Sequence, residues 1–246
     1  AFVMPSYKWW ETTFYGVGLM LYDLMAGKSA IGSTQFLNKQ QVLDRLPQVR
    51  SIGLRGGVQY WDGQFDDARL ALEIARTAQQ KGAVVLNYCS VESLAHQNHK
   101  LSGLIGKDAE TGRVFNVKAK CVINATGVWV DGIRAMDANT SLGKIEPMVT
   151  PSQGVHLVVD RSFLSKDFAL LVPSTQDGRV LFAVPWLGKV ILGTTDTPRT
   201  DLPIEPMAFA REVDFILEES ARYLSNAPKK EAISADVLYA IPVMIA

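Results

Sequence analysis

A short apolar run that stops at four small or polar residues is the feature that most constrains the fold of this chain. Val122-Ile123 leads directly into Asn124-Ala-Thr-Gly127. The pattern predicts a buried strand ending in a tight turn, where Gly127 can adopt a positive φ and the small side chains leave backbone accessible. A flat or phosphorylated ligand can lie against such a turn, as at the carboxyl end of a strand in a dinucleotide-binding sheet. An ordinary strand-to-loop turn explains the same residues equally well.

Composition limits the classes of protein to consider. The chain has 246 residues, 48% of them hydrophobic, which is enough for one large domain or two small ones. Lys+Arg and Asp+Glu both number 25, so net charge offers no case for a nucleic-acid partner. The two cysteines, Cys89 and Cys121, fall in predicted strands. We expect buried, reduced thiols rather than a disulfide framework, which fits a reducing compartment.

The first 81 residues contain three helical patterns. The apolar stretch 14–26 predicts a core helix that ends at Gly27; it is too short to span a bilayer, and a helix resting on a membrane surface is the alternative. A short helix begins after Asn38, with Gln41 at the capping-box position. A third helix, 68–81, has Asp66 or Asp67 as its cap and an Ala-rich stripe that predicts packing against a sheet.

Strand patterns dominate the rest of the chain. Residues 83–94, 101–107 and 113–126 predict a β-meander that leads into the Asn124–Gly127 turn. A second, antiparallel run is predicted at Val155–Val159, Ala169–Val172, Val180–Val184 and Val190–Gly193. Pro206 starts the last clear helix, predicted over 206–225. Its charged residues are interpreted as a solvated face: Glu212, Glu218, Glu219 and Arg222.

The three histidines differ in their surroundings. His96 and His99 flank a predicted turn at Gln97-Asn98, and no cluster of cysteines or carboxylates completes a metal site around them. We therefore interpret both as exposed turn residues. His156 lies in a predicted strand, where it shares a face with Gly154 and Val158. On pattern alone, a lone strand histidine is more often a structural residue than a catalytic one.

Four segments at matching spacing carry a resemblance to a known family. They occur in the order Gly57-Val-Gln-Tyr-Trp-Asp-Gly-Gln-Phe-Asp-Asp-Ala-Arg-Leu70, Asn124-Ala-Thr-Gly-Val-Trp-Val-Asp131, Pro151-Ser-Gln-Gly-Val-His156 and Gly193-Thr-Thr-Asp-Thr-Pro198. Together they resemble the FAD-dependent glycerol-3-phosphate dehydrogenases of the aerobic, respiratory type. The resemblance runs from near residue 1 to about residue 238, and residues 239–246 do not share it.

The resemblance implies roles for particular residues. His156 would lie on the substrate side of the flavin and take the proton of the C2 hydroxyl, a role that suits an imidazole. The Asn124, Ala125, Thr126 and Gly127 turn, with Trp129, would contact FAD. The loop Gly193, Thr194, Thr195 and Asp196 would line the flavin ring. The reaction would convert sn-glycerol 3-phosphate to dihydroxyacetone phosphate and pass electrons to a membrane quinone.

The implied fold is α/β (α+β). Residues 1–135 would form part of a FAD-binding Rossmann-like domain with a β-meander and a helical segment at 1–50, and residues 136–246 an antiparallel β substrate-binding domain with a C-terminal helix. The chain contains no Gly-x-Gly-x-x-Gly unit to hold the FAD pyrophosphate. We therefore expect a central portion of the enzyme that binds FAD weakly or not at all by itself.

Localisation, oligomeric state and two other functions are further expectations. The family's localisation would be cytoplasmic with peripheral membrane association in bacteria, or mitochondrial in eukaryotes, and exposed strand edges suggest a homo-oligomer. One alternative is a flavin amine oxidase of the glycine or sarcosine oxidase type. The other is a non-catalytic module built on a flavin fold.

Overall fold

The computed structural model describes residues 1–138, 146–234, 238–240 and 243–245. The chain divides into two compact units. The first contains residues 1–63 and 152–242, and the second contains residues 64–151 and 243–246. This division differs from the boundary expected near residue 135, because strands from the first 63 residues hydrogen-bond into the sheet formed after residue 152. The assignment of the two stretches to cofactor and substrate stays a prediction.

The first unit is a mixed sheet with three helices. Its strands are β1 (Phe2–Ser6), β2 (Gln35–Asn38), β3 (Gly56–Tyr60), β7 (Val149–Asp160, from residue 152 onward), β8 (Ala169–Val172), β9 (Leu181–Trp186), β10 (Lys189–Gly193), β11 (Thr197–Pro198) and β12 (Leu238–Ala240), and its helices are α1 (Glu11–Ala26), α2 (Lys39–Arg45) and α5 (Ala210–Tyr223). The strands lie in the order β11-β7-β10-β9-β8-β1-β3-β2, with β12 also paired to β7. β1 and β8 are parallel, and the other neighbours in this sheet are antiparallel.

The two faces of this sheet bury different residues. Alternate side chains of β7, including Val155, Leu157 and Val159, belong to the main core together with residues of α2 and α5 such as Val42 and Ile216. The opposite face carries a smaller cluster around Met4, Tyr60 and Leu171, against which Tyr15 and Leu19 of α1 pack. Because side chains alternate along a strand, residues 156 and 158 of β7 lie on this second face.

Local signals in the sequence predicted several elements of the first unit. The expected antiparallel run is confirmed, and β8 has the predicted bounds. The last helix begins at Ala210 rather than at Pro206. Asn38 and Gln41 form the predicted capping box at α2: the Gln41 backbone N–H donates to Asn38 Oδ1 at 2.9 Å, and the Asn38 N–H donates to Gln41 Oε1 at 2.9 Å. Such signals are reliable because every atom they require lies within one turn of chain.

Helix α1 differs from the expected core helix. It ends at Gly27, which has φ +52°, as predicted. Of its residues only Gly16 is buried, and one row of large apolar side chains, Phe14, Val17, Leu21 and Leu24, is exposed. The prediction was wrong on burial because the sheet covers only the side of α1 that carries Tyr15 and Leu19. No helix in the described part of the chain is both long and apolar enough to cross a bilayer.

The second unit contains a three-stranded antiparallel sheet and two helices. These are β4 (Cys89–Gln97), β5 (Lys100–Asp108), β6 (Val114–Lys118), α3 (Asp67–Gln80) and α4 (Val130–Ala138), and β13 (Val243–Ile245) pairs with the first residues of β7. The predicted β-meander is confirmed. Asp66 caps α3, accepting from the Arg69 backbone N–H at 2.9 Å. No side chain of α3 is buried, so its predicted packing against a sheet was wrong.

The apolar run before the Asn124–Gly127 turn is also a correction. Residues 121–126 form no strand, and Ile123 is 85% exposed. A strand needs a hydrogen-bonded neighbour, and none of the described strands pairs with this run. The expectation of buried thiols also fails: Cys121 lies in this unpaired run and Cys89 is the first residue of β4, and both are exposed and unbridged. Of the atypical tail, residues 241, 242 and 246 lie outside the described residues.

Candidate active site

A row of side chains crosses four adjacent strands of the first unit and contains His156. In the sheet register His156 lies opposite Gly193, Gly193 opposite Phe182, and Phe182 opposite Leu171. Residues directly opposite each other in antiparallel strands share a face, so the row lies on the face away from the main core. His156 is partly accessible there. The predicted catalytic residue therefore lies on the second face of the sheet, partly accessible, beside the start of the predicted flavin-lining loop.

The imidazole of His156 lies directly against the backbone of Gly193. A Cβ atom added at residue 193 would be 2.0 Å from Cδ2 and 2.9 Å from Nε2 of the ring. Carbon atoms in contact are normally separated by 3.5 Å or more. Only a residue without a side chain leaves room for the ring in this position. Gly193 therefore has a steric role that is specific to His156, and the sequence pattern of a turn did not reveal it.

The loop after β10 turns its middle residue inward. Thr195 is buried, and its hydroxyl accepts from the Val155 backbone N–H at 3.0 Å. Asp196 is exposed, and Thr194 is half-buried, with its hydroxyl donating to the Thr195 carbonyl at 3.0 Å. Of the four residues predicted to line the flavin ring, Thr195 thus has its hydroxyl committed within the protein. Contact of the other three with a cofactor stays a prediction.

A buried carboxylate holds this loop, and sequence reasoning missed it. Glu212 is 2% exposed, so its interpretation as part of a solvated face was wrong; Glu219, at 3%, is buried as well. Glu212 Oε1 accepts from the hydroxyls of Thr197 at 2.6 Å and Thr195 at 3.4 Å. Its Oε2 accepts from Gln153 Nε2 and from a backbone N–H, both at 2.8 Å. The available signal was its position in the first turn of α5, where a glutamate can reach back to the helix start.

The second unit contains the other predicted contact with the cofactor. The Asn124 side-chain amide donates to the Val130 carbonyl at 2.9 Å, and Asn124 Oδ1 accepts from the Thr126 hydroxyl at 2.8 Å. Gly127 has φ +57°, as the turn predicted. The turn borders a cavity of about 210 Å³ that Met148 also lines. Asn124 is thus used to hold the turn, which leaves Ala125 and Gly127 accessible at its surface.

Asp131 extends the hydrogen bonding behind this turn. Its carboxylate accepts from Arg134 Nη1 at 2.6 Å and from the backbone N–H groups of Met148 at 3.0 Å and Val149 at 3.2 Å. The Arg134 hydrogen bond, followed by the backbone donors, lowers the pKa of Asp131. The charged carboxylate therefore connects the start of α4 to the chain that precedes residue 150. Trp129, the remaining predicted cofactor contact, is exposed on the same segment.

The other two histidines, His96 and His99, lie in the second unit. His96 Nε2 lies 2.8 Å from Asp137 Oδ1, so this histidine is not the exposed turn residue that was expected. The turn itself falls one residue later, at Asn98-His99. Within the residues that the structure describes, no group of three His, Cys, Asp or Glu side chains could hold a metal ion.

Comparison with known proteins decides the family. A family model described as FAD dependent oxidoreductase (DAO) matches residues 14–241. The chain belongs to this family. FAD, the cofactor that the motifs implied, is the family's cofactor, and the mixed α/β architecture agrees with its fold.

Several relatives in this family are glycerol-3-phosphate dehydrogenases. The mitochondrial enzymes of Rattus norvegicus and Homo sapiens are each 42% identical over 229 residues, covering 91% of this chain and 31% of theirs. The mitochondrial enzyme of Schizosaccharomyces pombe is 37% identical over 228 residues, covering 90% and 35%. The chain therefore spans about a third of the length of these relatives.

Two solved structures agree with the architecture. The glycerol-3-phosphate dehydrogenase of Bacillus halodurans, complexed with FAD, matches with a TM-score of 0.79 at 30% identity, covering 100% of this chain and 44% of that one. A glycine oxidase of Bacillus cereus matches with a TM-score of 0.71 at 19% identity, covering 99% and 60%. The second likeness shows a shared fold alone.

The residues of this chain fit part of FAD. The Asn124–Gly127 turn presents small residues and an almost entirely apolar cavity wall, which suits a flat, uncharged surface of a ligand. The diphosphate needs a cradle of backbone N–H groups at a helix start, and the sequence has no Gly-rich unit of that kind. Contact of this turn with an uncharged part of the cofactor stays a prediction.

Proposed function

We propose that the complete protein oxidises sn-glycerol 3-phosphate to dihydroxyacetone phosphate with FAD as its cofactor. The observation that carries the proposal is the partly accessible imidazole of His156, which lies against Gly193 at the start of the Gly193–Asp196 loop. Relatives at 42% identity that are named glycerol-3-phosphate dehydrogenases support this substrate. The glycine oxidase, at 19% identity, supports an amine substrate much less.

The proton is the part of the chemistry that falls to this chain. Oxidation of a secondary alcohol removes a hydride from C2 and a proton from its hydroxyl; FAD, when bound, would supply the hydride acceptor. A ring nitrogen of His156 takes the hydroxyl proton, so that the neutral ketone forms rather than its protonated form. The neighbouring loop holds the imidazole edge in place. The Asn124–Gly127 turn and Trp129 contribute contacts to the cofactor.

The electrons then pass to an acceptor outside this chain. We propose a membrane quinone, which requires the complete protein to work at a membrane surface, peripherally attached. Relatives named as mitochondrial support a mitochondrial location if the protein is eukaryotic. A homo-oligomer remains part of the proposal on the grounds of exposed apolar surface.

Flavin reduction in the complete, FAD-loaded protein tests the proposal. Anaerobic mixing with glycerol 3-phosphate should bleach the flavin absorbance in a single turnover, whereas glycine and sarcosine should not. Replacing His156 with Gln keeps the size of the side chain but removes its basic nitrogen, so reduction should slow by roughly 10²–10⁴-fold. Affinity for dihydroxyacetone phosphate should change much less.

The matched control is His99→Gln, which changes an exposed histidine in the β4–β5 turn. It should reduce flavin at the wild-type rate. Bleaching by glycine but not by glycerol 3-phosphate would favour the amine oxidase, and no bleaching by any of them would favour the non-catalytic module. A His156→Gln protein that reacts at the wild-type rate would make His156 a packing residue.

A further inference from the structure

The buried carboxylate of Glu212 joins three segments that converge beside His156. Its two oxygens accept four hydrogen bonds, from Thr195, Thr197, Gln153 and the Phe209 backbone N–H. Two of these donors belong to the chain that follows β10, one to β7, and one to the start of α5. A buried carboxylate is costly unless its oxygens are satisfied, and here donors from all three segments satisfy it.

The segment after β10 is a short loop whose two ends are both paired in the sheet. It leaves the sheet at Gly193, opposite His156, and returns at Thr197, opposite Gln153. Between these points the Thr195 hydroxyl accepts from the Val155 backbone N–H, the residue next to His156. The hydrogen bonds from the Thr195 and Thr197 hydroxyls to Glu212 therefore fix the path of the loop past the imidazole.

The hydrogen bonds of Gln153 fix the orientation of its side-chain amide. Its side-chain amide donates to Glu212 Oε2 at 2.8 Å and to the Met207 carbonyl at 3.0 Å, while its carbonyl oxygen accepts from Arg199 Nη1. With its oxygen committed to Arg199, the amide cannot reverse to suit a different neighbour. An acceptor is therefore required at residue 212 on the side that faces Gln153.

From these contacts we infer that Glu212 is a positioning residue for the active site, and this inference rests on the proposed function. The four hydrogen bonds described for its oxygens all come from groups of this chain. Glu212 holds Thr195 and Thr197, and through them the Gly193 backbone on which the imidazole of His156 lies. Loss of this support lets the loop and the ring move, and a displacement of about 1 Å at a reacting group can lower a rate by about 10²-fold.

The test compares Thr195→Val with Thr195→Ser and Glu212→Ala with Glu212→Gln in the complete, FAD-loaded protein. Valine keeps the shape of threonine but removes the hydroxyl, whereas serine keeps it. Glutamine can offer its oxygen to Gln153 and its NH₂ group to the threonine hydroxyls, which accept as well as donate. Flavin reduction at saturating glycerol 3-phosphate should fall by about 10–100-fold in the valine and alanine variants and recover to within a few-fold in the serine and glutamine variants.

The second readout follows the imidazole itself, without turnover. In protein labelled with ¹³C-histidine, the His156 ring resonance is identified by its loss in His156→Gln. It should shift in the valine and alanine variants and stay at its wild-type position in the serine and glutamine variants. Glu218→Gln, at an exposed glutamate of the same helix, is the control and should change neither measurement.

The outcomes separate this inference from the proposed function. If wild-type protein does not react with glycerol 3-phosphate, the proposed function fails, yet the ring resonance still reports on Glu212. If wild-type protein reacts but the valine and alanine variants keep both its rate and its His156 resonance, the inference is wrong. Should Glu212→Ala fail to fold, the Thr195 pair decides alone.

Discussion

The missing side chain at residue 193 decides where the imidazole of His156 can lie. A methyl group there would occupy a position 2.0 Å from Cδ2 of the ring, so the ring would have to rotate or move outward. Gly193 is paired with β7 on one side and β9 on the other, so its backbone cannot move as easily as a side chain. The steric pair Gly193–His156 is therefore a specific, testable feature of this site.

Gly193→Ala should slow flavin reduction by glycerol 3-phosphate in the complete protein by about 10–100-fold, because the base is displaced from the C2 hydroxyl. Overpacking should also lower the free energy of unfolding by about 1–3 kcal/mol. Stopped-flow absorbance and urea denaturation measure the two effects. Gly18→Ala, at a helix position with open space around it, is the control. It should leave the rate unchanged and the free energy of unfolding unchanged or slightly higher.

A double-mutant cycle makes this prediction stricter. In a His156→Ala background there is no ring to displace. Adding Gly193→Ala there should lower the rate and the free energy of unfolding by much less than Gly193→Ala lowers them in the wild-type protein. Additive effects would mean that alanine at residue 193 acts on something other than the imidazole.

At the scale of elements, the turn between β8 and β9 is joined to α5 by one arginine. Arg179 donates from Nε to Asp177 Oδ2 at 2.7 Å and makes a second, shorter contact from Nη2, and its guanidinium lies 3.9 Å from the ring centroid of Phe215. The Thr175 hydroxyl donates to the other oxygen of Asp177 at 2.7 Å. The Arg179 and Thr175 hydrogen bonds lower the pKa of Asp177 from 3.8 to about 2.

Asp177→Asn should therefore destabilise the chain at neutral pH and not in strong acid. The lowered pKa corresponds to about 2 kcal/mol in full. Screening at a carboxylate that is 40% exposed reduces this to about 1 kcal/mol. Because the folded-state pKa is depressed, the contribution is complete above pH 4 and disappears as pH falls through 2. Urea unfolding of both proteins at pH 7 and pH 2.5 measures it, and the difference at pH 2.5 should be about a third of that at pH 7. An equal difference at the two values would contradict an ionic origin.

At the scale of the whole molecule, α1 presents the largest exposed row of apolar side chains that we describe. Its members Phe14, Val17, Leu21 and Leu24 recur at spacings of three and four residues, as on a helix face that packs against another element. Leu24 and Met25 are 76% and 87% exposed. A helix that is apolar on nearly all sides is typically buried, so this chain by itself should associate through α1.

Sedimentation of the 246-residue chain should show concentration-dependent association. Leu24→Lys with Met25→Lys should shift it towards monomer without lowering the thermal midpoint, since neither side chain is buried. Ile52→Lys is the control: Ile52 is 91% exposed but lies outside α1, and it should leave association unchanged. A wild-type monomer at all concentrations would refute the prediction.

Sequence by itself determined the features whose physics is local. The capping box of α2, the glycine that ends α1 and the antiparallel run 155–193 each depend on residues within a few positions of one another, or on alternation along one strand. Four motifs in order were also enough to predict the family. His156 was among the predicted residues for the same reason, because its motif is contiguous.

Tertiary structure alone decided burial and contact between distant segments. Val122-Ile123 has the pattern of a strand, yet no described strand pairs with it, and pairing is a property of the neighbour rather than of the run. Glu212 has the pattern of a solvated charge, yet donors 15 to 59 residues away converge on it. Gly193 resembles an ordinary turn glycine until the register places His156 opposite it. Hydrophobic periodicity predicts which side of an element is apolar, and only the packed chain determines what lies against that side.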